Sequence, residues 1–400
     1  MYLPVVVAGL VLLVALPAPA QPQPVVLTFE GALERARQSA PVLVAARLRI
    51  DEARGRAAGA SLRFSTNPTM EVEGGRRNGA LSSTEYGIAL AQDLELPSRR
   101  RARIDAALAG VTQEEQRARE VEREGLREVA VAFLRALEAR ERADAAAGGQ
   151  VLAKEALRIA ERRYEAGDVA QLDVNLARTA VARAEAETRT SVAMLAGHAT
   201  RLQILLGIAE PVTVEGSLRR ELAGPLTRGV ERADMLLLDA EIAEAEAEQR
   251  MARTLRWPDL GVRGSYSREE GDTIVLAGVG VSLPVFHRGL EAMTVAGAKL
   301  TRLRAERAAL ARTVEAEVRG AEASYDALRA AASEYERVVL PLVEQNESLA
   351  LESYEAGQIG LGDLLLVRRE ALDARRAFID QLIETRLAEV DLRASAGVWK

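Results

Sequence analysis

The chain has 400 residues, 48% of them hydrophobic and 28% charged, with a net charge of −6. It is too apolar for a disordered protein, too charged for a bundle of membrane helices, and too acidic for a general nucleic-acid binder. Cysteine is absent and histidine occurs only at His198 and His287, which excludes disulfides, thiolate chemistry and a histidine-rich metal centre.

Residues 5–16 read VVVAGLVLLVAL and are followed by Ala18-Pro19-Ala20. A membrane-spanning helix needs about 20 apolar residues, so residues 1–20 read as a secretory signal cleaved after Ala20. No later stretch approaches that length. Membrane insertion, if it occurs, must use β-strands.

The remainder reads as two copies of one unit. RRYEAGDVAQLDV at 162–174 matches ESYEAGQIGLGDL at 352–364, so Tyr164, Gly167 and Asp173 recur as Tyr354, Gly357 and Asp363 at a shift of 190. Pro68 and Gly207 recur at the same shift as Pro258 and Gly397, whereas Pro97 and Pro284 differ by 187. Repeat 1 is assigned to 21–207 and repeat 2 to 208–400.

Repeat 1 opens with a helical segment, about 29–64, broken near its start by Pro41. A β-hairpin is predicted at about 67–96. There Met70 and Val72 alternate with Glu71 and Glu73, Asn78-Gly79 supplies the turn, and Tyr86, Ile88 and Leu90 alternate with Gly87, Ala89 and Ala91. No proline occurs from Ser98 to Tyr164, and a helix over 98–164 would be roughly 100 Å long. Gly110, Gly125 and Gly148-Gly149 are its weak points. Ile104, Leu108, Val111, Val121, Val129, Phe133 and Leu137 mark a narrow coiled-coil-like seam between solvated rows of Glu and Arg. The YEAG turn leads to a returning helix at about 171–206.

Repeat 2 follows the same order. Its opening helix is predicted at about 227–256 and its hairpin at about 257–284, with the turn at Glu269 to Asp272. A long helix follows at about 286–354, with a kink or break near residue 340 caused by Pro341, and then a returning helix at about 361–396. Both hairpins set an apolar face against a small or polar one, a pattern that suits membrane-barrel strands and soluble hairpins alike.

Four strands cannot close a barrel, which takes at least about eight, and an open sheet in lipid leaves its edges unpaired. A membrane role therefore demands an oligomer, with the helices forming an extension from one end of the barrel.

These features together resemble the TolC-type outer-membrane efflux proteins. The resemblance rests on the two-copy plan, the TNP (66–68) and RWP (256–258) markers, the strand-to-helix joins QDLELPSRR (92–100) and SLPVFHRG (282–289), and the YEAG turns. QDLELPSRR is most similar to the heavy-metal cation-efflux, CzcC-like, branch. Ser98 stands where that branch often has Gly, and the lipidated Cys of many relatives is absent. The resemblance implies a mainly α fold with a transmembrane β-barrel portion, in which three chains of a homotrimer build a 12-stranded barrel in outer-membrane lipid and a 12-helix periplasmic α-barrel. It further implies a passive exit duct, docked on a periplasmic adaptor and a proton-driven inner-membrane pump, with divalent metal cations as substrate.

By the same resemblance, turns 164–174 and 354–364 form the periplasmic tip. Gly167 and Gly357 would let the adaptor's helical hairpin approach the backbone, flanked by Val169 and Ile359, with Tyr164 in the same turn. Asp173 would link to Tyr354, against the plainer reading that it caps the returning helix. Asp363 would face the pore at its narrowest point, so that three copies make a ring of negative charge selecting cations. Leu366 stands where a second Asp is frequent, so one such ring is expected. Ile359 stands where some relatives carry a tip Arg.

Nothing points to an enzyme, a cofactor or a metal centre. HExxH, Walker A and GxSxG patterns are absent, and Gly278-Val279-Gly280 lacks the third glycine of a dinucleotide fingerprint. His287 reads as a polar residue at the membrane rim and His198 as a packing or surface residue. Two other readings stay open: a channel of the same fold for drug efflux or type I protein secretion, and a periplasmic coiled-coil structural protein whose hairpins are soluble.

Overall fold

The computed structural model describes residues 24–78, 82–222 and 232–398. The signal segment 1–20 and Gly79 of the first hairpin turn lie outside them. Strand β1 (Val25–Leu27) leads into α1 (Phe29–Ser39), whose N-cap Thr28 accepts a hydrogen bond from the Gly31 amide at 3.2 Å. Pro41 sits in the first turn of α2 (Pro41–Ser61), where a missing N–H is harmless. It therefore separates two helices. Strands β2 (Thr69–Arg77) and β3 (Ser83–Leu94) follow, then α3 (Pro97–Glu165), α4 (Gln171–Leu206) and β4 (Val212–Val214). The second half comprises α5 (Ala233–Thr254), β5 (Asp259–Glu269), β6 (Asp272–Ser282), α6 (Leu290–Glu334), a π-helical turn (Tyr335–Val339), α7 (Leu340–Glu355) and α8 (Leu361–Ser395).

Helix α3 runs 69 residues without interruption, roughly 100 Å. Two of its glycines serve packing: a Cβ at Gly149 would lie 3.1 Å from Leu372, and one at Gly125 would lie 3.2 Å from Leu43. The corresponding helix of the second half differs in two ways. It starts at Leu290, after an irregular stretch from Pro284 that ends in Gly289 at φ 71°. Near Pro341 the kink expected from sequence is a π-helical turn. Proline has no N–H to offer the carbonyl four residues back, and the Leu340 amide instead donates to the Tyr335 carbonyl, five back.

The hairpins join through β3 and β5 into one antiparallel sheet of order β2-β3-β5-β6. Directly paired residues share a face. Met70 opposes Leu90, Val72 opposes Ile88, Ile88 opposes Tyr266, Val262 opposes Val279, and Tyr266 opposes Val275. That face is apolar and exposed, Val275 and Val279 at 72% each. The opposite face carries Glu71, Glu73, Asp93, Arg263 and Ser265 among Gly and Ala, with Ile274 and Leu276 of β6 on the same side and Arg263 paired to Glu71 at 2.9 Å. Strands β2 and β6 are open edges. Among the described residues no helix is long and apolar enough to cross a membrane.

The helices pack around clusters spaced along their length. The largest gathers Leu33, Leu126, Phe133, Leu202, Leu218, Phe378 and Ile383 where α1, α3, α4 and α8 meet. Leu108, a seam position by sequence, is 54% exposed. Two elements went unread in the sequence. One is the parallel pairing of β1 with β4, each three residues long, too short for any periodicity. The other is a buried ion cluster. Glu389 is 1% exposed and lies between Arg386 and Arg393, which are 4% and 6% exposed. Arg393 reaches it at 2.9 Å, and Arg386 is also its partner. The arginines also donate to the carbonyls of Leu218 and Leu222, and Glu389 accepts from the Leu222 amide at 3.1 Å. This network fastens the segment after β4 to α8.

Glu389→Ala leaves two buried guanidinium groups without their counter-charge and is expected to cost about 3–5 kcal/mol. Thermal unfolding in detergent checks it, and a loss below about 1 kcal/mol would show that water reaches the cluster.

Candidate functional site

The turns joining α3 to α4 and α7 to α8 lie at the ends of the helices remote from the sheet. Both are Schellman closures, and the same hydrogen bonds form in each. The Asp168 amide donates to the Arg163 carbonyl at 2.8 Å and the Gly167 amide to the Tyr164 carbonyl at 3.0 Å. Gln358 and Gly357 repeat this with Ser353 and Tyr354 at 2.8 and 3.1 Å. Gly167 and Gly357 take φ of +82° and +72°, in the left-handed region that a side chain strains. Neither would meet a neighbour closer than 3.9 Å with a Cβ in place, so their surfaces are open.

Beneath the turns a small core of Ile159, Ala160, Ala177, Tyr354, Leu361 and Leu364 joins the two hairpins, and Ile359 packs against it. Here the duplicated turns part company. Tyr354 is 1% exposed and Tyr164 is 45% exposed. Arg163 crosses from the first turn, donates to the Tyr354 carbonyl at 3.0 Å, and stacks over the Tyr354 ring at 4.9 Å. Arg163 was not singled out from the sequence. Its signal was the mismatch between Arg163 and Ser353 in otherwise matching turns.

Burial raises the pKa of the Tyr354 hydroxyl, the charge of Arg163 lowers it, and Asp173 raises it further. No hydrogen bond links Asp173 to Tyr354, and the hydroxyl has no hydrogen-bond partner among the described residues. Nor does Asp173 cap α4, where Ala170 is the N-cap and no side-chain cap bond forms. Asp363 does cap its helix: its carboxylate accepts from the Gly360 amide at 3.2 Å, and the residue stays exposed. Val169 is half-buried. Glu165, Asp168, Glu352 and Glu355 are also exposed around the turns, with Arg162 among them, so acids outnumber bases at this end of the protein.

Farther up the hairpins, Arg368 is 6% exposed and donates to the Leu152 carbonyl at 2.7 Å, tying α8 to α3. Burial lowers its pKa. His198 and His287 are both exposed, and no cluster of three or more His, Cys, Asp or Glu fit to hold a metal ion occurs among the described residues.

Residues 32–207 match the family described as outer membrane efflux protein. A comparison with curated proteins found no match. Among solved structures, the fold is similar to the CmeC outer membrane channel of Campylobacter jejuni, at TM-score 0.76 and 17% identity over 92% of this chain and 85% of that one. It is similar to a membrane protein from Pseudomonas aeruginosa, at 0.78 and 22% identity over 92% and 93%. The outer membrane protein VceC of Vibrio cholerae gives 0.72 and 18% identity over 92% and 96%.

Because the Tyr354 hydroxyl makes no bond, Tyr354→Phe is expected to shift stability by less than about 0.5 kcal/mol. Arg163→Ala, which removes a carbonyl bond and a ring contact, is expected to cost about 1–2 kcal/mol. Amide hydrogen exchange over 159–177 and 350–364 reports both. Fast exchange in Tyr354→Phe would mean the hydroxyl has a partner, with Arg163, whose guanidinium lies over the ring, the candidate.

Proposed function

We propose that this chain, whose residues 32–207 match the outer membrane efflux protein family, is one subunit of a passive exit duct through the outer membrane. The observation that carries this reading is the sheet. It has one exposed apolar face, one mostly polar or small-residue face with Ile274 and Leu276 as exceptions, and two unpaired edges. Placing the apolar face in lipid requires the edges to be closed. We assign β2 of one chain to pair with β6 of the next, so that a homotrimer forms a 12-stranded barrel with the polar face toward the lumen. The long helices then continue the tube away from the membrane, and the turns at Gly167 and Gly357 form its far end.

In this reading the tip receives a periplasmic adaptor, through which an inner-membrane pump delivers substrate. Val169 and Ile359 flank the two open glycine surfaces and Tyr164 stands exposed beside them. The acid-rich turns favour cationic cargo, and divalent metal cations are the proposed substrate. In this reading the energy comes from the pump.

Fractionation of cells expressing the full chain, followed by planar-bilayer recording, tests the duct. Recovery with the outer membrane and defined single-channel steps are expected. Recovery in the soluble periplasmic fraction would overturn it. Sensitivity of a deletion strain to divalent metal salts, and not to hydrophobic drugs, tests the cargo.

Asp363 is proposed to ring the narrowest point. Asp363→Asn removes the charge and keeps an oxygen for the Gly360 amide, so the turn should fold. A severalfold lower cation-to-anion permeability ratio and weaker block by divalent cations are expected. Unchanged selectivity would remove Asp363 from the filter.

A further inference from the structure

The four strands end together on the side where the helices begin, with Thr69 opposite Ala91, Leu94 opposite Leu260, and Asp259 opposite Ser282. Three of the connections leaving this rim, 61–68, 253–258 and 283–290, contain no acidic residue. Each carries an exposed aromatic ring beside an arginine. Arg63 stacks on Phe64 and Arg256 on Trp257, with 5.9 and 5.5 Å from guanidinium carbon to ring centre, and Arg288 lies two residues after Phe286. The rings are 46%, 52% and 92% exposed, and the three arginines make no hydrogen bond or ion pair among the described residues.

The fourth connection uses its arginines internally. Arg99 pairs with Asp259 and Arg103 with Glu95, while Asp93 and Asp259 belong to the polar face of the sheet. Apart from Glu291 in the first turn of α6, the acids of the rim are paired or turned to that face, and the joints keep an excess of positive charge. At the opposite end of the sheet Arg76, Arg77 and Arg268 stand among the acids Glu85, Glu269, Glu270 and Asp272, and Arg77 pairs with Glu85 at 2.7 Å and with Glu270. The helix-side rim thus carries excess positive charge at its joints and the other end does not.

We propose that the helix-side rim binds the phosphate headgroups of anionic phospholipid in the adjoining leaflet, through Arg63, Arg256 and Arg288, with the neighbouring rings seated at headgroup depth. Aromatic rings settle at that level of a membrane, and surface arginines attract anionic lipid. The inference rests on the membrane reading of the sheet.

Native mass spectrometry of the full, detergent-purified protein tests it, with added phosphatidylglycerol or phosphatidylcholine. The wild type should hold phosphatidylglycerol at about tenfold lower lipid concentration than phosphatidylcholine. The triple variant Arg63→Gln, Arg256→Gln, Arg288→Gln should lose that preference, and Arg76→Gln with Arg268→Gln at the other end should keep it. Excess inorganic phosphate should not displace the lipid. A preference that survives the triple change, is absent from the wild type, or is abolished by free phosphate overturns the inference. Planar-bilayer recording separates the two failures: a conducting wild type without lipid preference sinks only this inference, whereas a wild type that never inserts sinks the duct as well.

Discussion

Side chains on a β-strand alternate with a period of two, so a sheet that turns one face to lipid must give the other to water or protein. In this chain the four strands keep one register, and the alternation departs from the rule in β6, where Ile274 and Leu276 stand on the polar face. Its consequence is set by the backbone, because the open edges of β2 and β6 carry unpaired N–H and C=O groups. Such groups are costly to leave bare in hydrocarbon. Closure by sister chains removes the cost, and a closed barrel imposes its circumference on whatever is attached to it. Every strand continues into a helical segment through a short connection, so the proposed ring of strands carries the ring of helices with it.

The chain holds this junction together with arginine. Of 53 basic residues only Lys154, Lys299 and Lys400 are lysine. Where α3 begins, Arg99 donates to the carbonyls of Thr254 and Trp257 at 3.1 and 3.0 Å, and Arg100 donates to that of Ser61 at 2.8 Å. The start of one helix therefore caps the ends of α2 and α5, the helices that deliver β2 and β5. Arg140 does the same for the segment after β4, donating to the carbonyls of Val214 and Gly216 at 2.6 and 2.7 Å. A planar guanidinium with five donors can satisfy two carbonyls and a carboxylate together, which a lysine ammonium does less well. Helix C-termini also favour positive charge. These pins replace the thick apolar core that a 4% aromatic content could not supply.

The features legible in the sequence were those with a period or a punctuation mark. Alternation at Met70 and Val72 and at Ile88 and Leu90, the proline-free run after Ser98, and the glycines of the two turns each have a local physical cause that survives folding. Three-residue strands such as β1 have none, because their identity lies in a partner almost 190 residues away. The buried trio Arg386, Glu389 and Arg393 looks in sequence like any surface row at helical spacing. Only the segment that covers it distinguishes it. At the turns, residue types were readable but partners were not: Asp173 and Asp363 match in sequence, yet only Asp363 caps its helix.

That divergence concerns the part of the molecule most exposed to partners. The Arg163 contact to Tyr354 joins repeat 1 to repeat 2 inside one chain. The residue matching Arg163 in the second turn is Ser353, which has neither the charge nor the reach to return the contact, and Tyr164 stays exposed. In the proposed trimer the two kinds of boundary alternate around the tip, and only those within a chain carry the Arg–Tyr contact. Arg163 at the turn and Arg368 farther along hold the two hairpins of one chain together, and the second copy, with Ser353 where the first has Arg163, has no matching side chain to offer a neighbouring chain.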